Sequence, residues 1–411
     1  MPNLTRESVA AWDANDPLAP FRGRFAIADE KLLYLDGNSL GRLPAATPDF
    51  LAKVVTEEWG AGLVRSWSSW VDLAGRLGDL LGTRLLGAAE GEVVLSDSTT
   101  VNLYKLASAA LAASDSRRRT ILYDATDFPT DRYVVQGLVA ERGLTARSVD
   151  PSELPGALGD DVALVVLSLV NYRTAELHDM ARVNTMAREA GARVLWDLSH
   201  AAGAVDVQLA ASGAELAVGC TYKHLNAGPG APAFLYVRRD LQSALRQPIW
   251  GWFGQQDQFA MGPDYDPVDG IERFLVGTPP ILSLAAVQPA LEICADAGID
   301  GIRRKSVRQC ELIIELADRW LAPYGISVAS PRDQERRGGH VSLRGPETWQ
   351  LSQALVEAGV ICDFRTPDVL RVAPAPLYTR FTDVFDAMER LRTILEQGDH
   401  LRFPAERGRV T

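Results

Sequence analysis

The sequence predicts an α/β protein, with a large domain built on a mostly parallel central sheet and a small α+β domain after it. Three observations carry this expectation. Strand-like and helix-like runs alternate between about residues 71 and 237, as in a sheet wound with crossover helices. One run, "DVALVVLSL", is apolar without alternation, the mark of a strand covered on both faces. After Pro280 the order changes to two long helices and then strand-like runs, which marks a second unit.

In chain order, the opening to about Ser69 is irregular and rich in Trp, Pro and Gly. It holds "LYLDGNSLGRLP" and an amphipathic helix near residues 47–60. "EVVLSD" reads as a strand that runs into the helix "STTVNLYKLASAALAA", which opens on Ser and Thr. "TILYDATDFPTDRYVVQGLVAERG" repeats that order. The buried run is followed by the helix "DMARVNTMAREAG", closed by Gly191. "ARVLWDLSHAAG" is a strand with Asp197 at its end, and "AELAVGCTYKH" and "APAFLYV" complete the set. Residues 246–280 show no periodicity and form a long, aromatic-rich loop, which is usually functional or disordered. Helices follow at 282–297 and 302–321, then strands in "GISVAS", "GGHVSLRG" and "GVICDFRTPDVLRVAP". The expected division is an N-terminal segment 1–70 packing on the small domain and the active site, a large domain 71–285, and a small domain 286–411.

Composition limits the function classes. The 411 residues carry a net charge of −11 with no basic block, which argues against nucleic acid or an anionic membrane as partner. Four cysteines lie far apart with no CxxC spacing and read as reduced intracellular thiols, not as a disulfide frame or a zinc site. The five histidines show no metal-ligand spacing, so no metal is expected. No secretory h-region and no apolar run long enough to span a bilayer is present. The expected location is the cytoplasm.

The chemistry centres on "GCTYKHLNAGPGAPAFLYV". Lys223 leaves an apolar strand and enters a turn of Asn226, Gly228, Pro229 and Gly230. A buried lysine must lose its charge or pair it, and a neutral lysine amine can condense with an aldehyde cofactor. Asp197, at another strand end, can keep a pyridine nitrogen protonated. A helix start with Ser98, Thr99 and Thr100 offers N–H groups and hydroxyls to a phosphate. Phe128 can stack on a ring. Each feature alone has a plainer reading: a solvated lysine, a turn aspartate, an N-cap cluster, a core phenylalanine. Their joint order describes a pyridoxal 5′-phosphate pocket.

Beyond those residues, "WDLSHAAGAVDVQL" and "AVGCTYKHLNAGPGAPAFLYV" resemble the aspartate and lysine segments of pyridoxal-phosphate enzymes of fold type I, the aspartate-aminotransferase-like fold. "LYLDGNSLGRLP", "DSTTVNLYK", "DFPTDRYV", "GWFG", "GTPPIL" and "VICDFRTPDVLRVAPAPLY" narrow the resemblance to the kynureninase family, over nearly the whole chain. The resemblance implies that Lys223 bonds the cofactor aldehyde and that Asp197 pairs its ring nitrogen, with His200 beside it. It places Thr99 and Thr100 at the phosphate, Phe128 on the ring, and Asp131 and Ser168 nearby. Tyr222 and Trp252 reach the phosphate, and Tyr222 is also a candidate acid/base. Thr278 contributes from its loop, and with Trp252 it is expected to cross to the partner in a homodimer. Arg371 clamps the substrate carboxylate, and Ser39 and Trp67 line the substrate pocket. The implied activity is hydrolytic Cβ–Cγ cleavage of kynurenine, or its 3-hydroxy form, to anthranilate (or 3-hydroxyanthranilate) and alanine in tryptophan catabolism. A cysteine desulfurase or selenocysteine lyase, an aminotransferase, and a non-catalytic protein of the same fold stay open as alternatives. The desulfurase chemistry needs an exposed nucleophilic cysteine, for which Cys362 is the best placed.

Overall fold

The computed structural model describes residues 4–408. Seven strands form one sheet: β1 (Val93–Leu95), β2 (Thr120–Tyr123), β3 (Thr145–Ser148), β4 (Val162–Ser168), β5 (Arg193–Asp197), β6 (Leu216–Gly219) and β7 (Phe234–Val237). Their order is β1-β7-β6-β5-β4-β2-β3. β7 runs antiparallel to β1 and β6, and the remaining pairs are parallel. Helices α1 (Thr99–Ala112), α2 (Pro129–Arg142) and α3 (Met180–Glu189) connect successive strands. Every residue of β4 is buried, as its unbroken apolar run requires. β3 is the exception to legibility. "TARS" is mostly exposed and carries no apolar signal, so pairing with β2 at the sheet edge makes it a strand.

The second sheet is antiparallel. β8 (Ser327–Val328), β9 (Val341–Arg344), β10 (Asp363–Arg365) and β11 (Val369–Val372) lie in the order β10-β11-β9-β8. The single run expected at "GVICDFRTPDVLRVAP" is divided, because its first part, Val360–Ile361, pairs in parallel with Leu33–Tyr34 near the chain start.

Two buried apolar clusters account for the packing. The larger contains the seven-stranded sheet and extends through Leu284, Val287 and Leu291 of α4 (Ile281–Ala297) to Ile302. The smaller begins at Cys310 in α5 (Ile299–Trp320) and includes Val9, Leu33 and Leu35 from the chain start. The expected boundary at 285/286 therefore falls inside a helix that packs on the large core. The handover lies within α5, because its two ends bury their apolar faces in different clusters.

The opening segment is more ordered than its sequence suggests. Arg6–Ala14 is a helix capped by Thr5, whose hydroxyl accepts from the Ser8 N–H. Nine residues make a marginal helix alone, and docking on α6 (Phe381–Gln397) supplies the missing stability. Arg6 pairs with Asp386 (Nε–Oδ1 2.7 Å). The Asp13 carboxylate accepts from the N–H groups of Phe381 (2.6 Å) and Thr382 (3.0 Å) at the start of α6. Lys305 and Asp16 form a buried ion pair at 2.7 Å. The expected helix near 47–60 begins at Thr47–Lys53 and continues in wider turns through Val54–Gly62.

Candidate active site

Asp197 ends β5 and Ser168 ends β4, and the two are register partners. Lys223 follows the end of β6. All three thus lie at the carboxyl edge of the parallel strands, where this sheet type binds ligands. The turn after Lys223 is held by Asn226 N–H to Lys223 O (2.9 Å), Ala227 N–H to Thr221 O (3.1 Å) and Thr221 Oγ1 to Pro232 O (2.7 Å). Gly228 (φ +89°) and Gly230 (φ +79°) adopt the left-handed backbone that only glycine takes freely. On the other side, Gly41 donates its N–H to Tyr222 O at 2.8 Å. A Cβ on Gly41 would stand 2.5 Å from Lys223 O, so the N-terminal segment presses directly on the lysine turn.

A cavity of about 160 Å³ opens beside Lys223. Thr99, Thr100, Phe128, Asp131, Ser168, Asp197, His200, Tyr222 and Lys223 all line it. The Lys223 amine is 2.9 Å from His200 Nε2 and 5.7 Å from the Phe128 ring centre. Burial, followed by the Lys223 charge, pushes the His200 imidazole well below its usual pKa, so it stays neutral. Burial also raises the Tyr222 phenol, so it keeps its proton at neutral pH.

Asp131 and Asp197 make the cavity floor acidic, and Asp127 is buried close to them outside the lining. Asp197 Oδ1 accepts from Ser199 N–H at 2.8 Å, and Asp127 Oδ2 from Ser168 N–H at 2.8 Å. Asp131 Oδ2 is 3.4 Å from Ser168 Oγ. Oδ1 of Asp127 and Oδ1 of Asp131 are buried with no protein partner. Burial raises all three carboxyls, and mutual repulsion adds to it for Asp131 and Asp127. Asp127 is pushed up to about 7. A cationic ring nitrogen at this floor would supply the missing counter-charge.

Residues 302–391 match the family described as "Kynureninase C-terminal domain". The chain is 47% identical to the kynureninase of Pseudomonas fluorescens over 401 residues, covering 96% of each chain. The chain belongs to the kynureninase family. It is also 45% identical to the kynureninase of Burkholderia pseudomallei strain 1106a, over 95% of this chain and 96% of that one. A solved cysteine desulfurase of Thermococcus onnurineus NA1 aligns over 92% of this chain and 98% of its own, with TM-score 0.78 and 16% identity. A cystine C–S lyase in complex with cysteine persulfide aligns with TM-score 0.78 over 88% of this chain and 98% of its own, at 19% identity. These two share the fold.

The residues present fit the cofactor of the kynureninase family, pyridoxal 5′-phosphate. The Asp131 and Asp197 carboxyls that line the cavity would offset a cationic ring. The first N–H groups of α1, behind the Ser98 cap on Val101 (3.4 Å), have no partner within the helix and suit a phosphate. Desulfurase chemistry finds no exposed thiol: all four cysteines are buried, and burial pushes the Cys362 thiol well up.

Five of the residues that the kynureninase resemblance singled out lie outside the cavity lining. Arg371 is 1% exposed and hydrogen-bonds Ser39 Oγ (3.0 Å) and Tyr172 O (2.7 Å). Tyr172 connects that pair to the cavity, with its ring 5.3 Å from Phe128 and 6.4 Å from His200. Trp67 and Trp252 sit together, 6.5 Å apart, with Phe253. Thr278 is exposed in its loop. Sequence reasoning missed Asp127, which stands in the quoted "DFPTD" neighbourhood four residues before Asp131. It also missed Tyr172, whose position after the buried strand gave no chemical signal.

Proposed function

We propose that this protein hydrolyses the Cβ–Cγ bond of L-kynurenine to give anthranilate and L-alanine, in tryptophan catabolism, with pyridoxal 5′-phosphate as cofactor. The observation that carries this reading is the Lys223 amine sharing one cavity with the buried Asp131 and Asp197 carboxyls, in a chain of this family. When bound, the cofactor offers an aldehyde to amines and a ring that accepts electrons.

The roles of the protein groups follow from their surroundings. Lys223 holds the cofactor aldehyde, Asp197 the ring N–H, Phe128 a ring face, and Thr99 and Thr100 the phosphate. Asp131 and Ser168 brace the acidic floor. Once the substrate amine has taken its place, Lys223 is free to carry the proton at Cα. Neutral His200 accepts an N–H from Lys223 and aims its lone pair. Tyr222, which keeps its proton, acts as acid toward the γ-carbonyl oxygen while water adds to the carbon. Arg371 receives the α-carboxylate, Ser39 lines the pocket beside it, and Trp67 borders the aryl group. 3-Hydroxykynurenine is a second substrate on the same groups.

The active form is a cytoplasmic homodimer. Trp59, Leu63, Val64, Trp250, Phe259 and Met261 expose large apolar surfaces, which a second copy covers. Trp252 and Thr278, outside the cavity of their own chain, serve the partner's phosphate. No single helix among the described residues is long and apolar enough to cross a membrane.

Anthranilate fluorescence on adding kynurenine to the holoenzyme tests the activity, with 3-hydroxykynurenine at matched concentration as the comparison. No fluorescence with either substrate would sink the reading. Mixing inactive Lys223→Ala with Trp252→Ala tests the dimer. Recovered turnover is expected if the site is shared, and none if each chain is self-sufficient.

A further inference from the structure

Arg371 and Asp363 face each other on adjacent antiparallel strands, as register partners of β11 and β10. Their side chains are 1% and 4% exposed. Arg371 Nε donates to Asp363 Oδ1 at 2.6 Å, and Nη2 donates to Oδ2. This bidentate grip occupies the Nε–Nη2 edge of the guanidinium. The partners elsewhere are neutral and come from two distant segments: Ser39 Oγ on Nη2 and the Tyr172 carbonyl on Nη1. The Tyr172 ring packs 5.3 Å from Phe128 and 6.4 Å from His200, centre to centre, so the residue that accepts from Nη1 borders the cavity. Asp363 is itself fixed, accepting from Ser39 Oγ (3.0 Å) and pairing with Arg365 (2.7 Å). Burial works against its charge, but the Arg371 and Arg365 guanidiniums outweigh that and hold the carboxyl below its usual range.

We propose that Asp363 is a positioning residue for substrate binding. It anchors Arg371 by one edge and leaves the Nη1–Nη2 edge to receive the α-carboxylate of the amino acid in exchange for Ser39 and Tyr172. This rests on the reading of Arg371 as the carboxylate site. A carboxylate that bound the Nε edge instead would have to expel a buried aspartate, at the cost of stranding its charge. Exchanging a hydroxyl and a carbonyl for a carboxylate strengthens the bonds.

The test compares two ligands on the holoenzyme. One is L-kynurenine, and the other is its decarboxylated amine, which lacks the group that Arg371 receives. Asp363→Asn keeps the size and loses the charge. It is expected to raise KM for kynurenine about 10- to 100-fold, with kcat within about 3-fold, and to leave the inhibition constant of the amine within about 2-fold. Equal weakening of both ligands would mean a general packing role and would overturn the proposal. So would an unchanged KM. Arg371→Lys separates the two layers. If it raises KM for kynurenine and Asp363→Asn does not, the anchor fails and the carboxylate site stands. If Arg371→Lys leaves KM unchanged, the reading of Arg371 fails. Should Asp363→Asn not fold, Asp363→Glu keeps the charge, displaces the fork by one methylene, and is held to the same split between the two ligands.

Discussion

Replacing Asp127 by asparagine removes a titrating carboxyl buried close to the cavity floor while keeping its shape. The residue is 2% exposed. Its Oδ2 accepts the Ser168 N–H, a task that an amide oxygen can take over. Burial is the main force on this carboxyl, with Asp124 and Asp197 adding repulsion, and together they raise it from 3.8 to about 7. The folded state therefore holds a proton that the unfolded state releases between those two values. Stability from this group is fully present below pH 3.8 and is lost as pH rises through about 7. Integrating one linked proton between pH 5 and pH 8 gives about 2.5 kcal/mol. Urea unfolding of the cofactor-free protein at both pH values measures the difference. The parent should lose about 2.5 kcal/mol more than Asp127→Asn on going from pH 5 to pH 8. Identical pH profiles for the two proteins would refute the reasoning, because they would mean that Asp127 is ionised throughout.

Lys223→Arg keeps a cation but cannot bond the cofactor aldehyde, so the visible absorption band of the lysine-bound cofactor and the turnover should both vanish. Retained turnover would contradict the assignment. Gly41→Ala should lower turnover about 10- to 100-fold, with far-UV circular dichroism unchanged, because its Cβ would displace the Lys223 turn; steady-state rates on the folded variant check this. Lys105 is wholly buried in α1 and donates to Ser96 Oγ (3.1 Å), Asp97 Oδ2 (2.6 Å) and Phe274 O (2.8 Å). Lys105→Met strands those acceptors and should cost about 2–4 kcal/mol in urea unfolding, with Asp97 partly relieved by solvent.

The sequence made the central sheet legible because its strands are buried on both faces and alternate with helices that open on capping residues. β4 and α1 show this most directly. The edge strand β3 and the helix Arg6–Ala14 were hidden for one shared reason: their partners, not their own residues, make them regular. At the site, Lys223 and Asp197 were readable from their chemistry and position. So were Thr99 and Phe128; the resemblance added Asp131 and Ser168, and all six line one cavity. What could not be read was the pairing of Arg371 with Asp363. A buried ion pair across two strands depends on register, and the sequence shows only two charges in an apolar run.

Asp13 and Phe381 are joined across 368 residues, and this constrains how the protein is made. A ribosome adding roughly 5–20 residues per second needs about 20–70 s to travel from one to the other. For the later part of that interval the large sheet has all its strands in hand, while the first helix waits for a dock that has not been synthesised. The sheet of the vitamin-binding half can therefore form before the smaller half, which closes only near release. Val9, Leu33 and Leu35, buried in the finished protein, are the surfaces that a chaperone would meet during the wait.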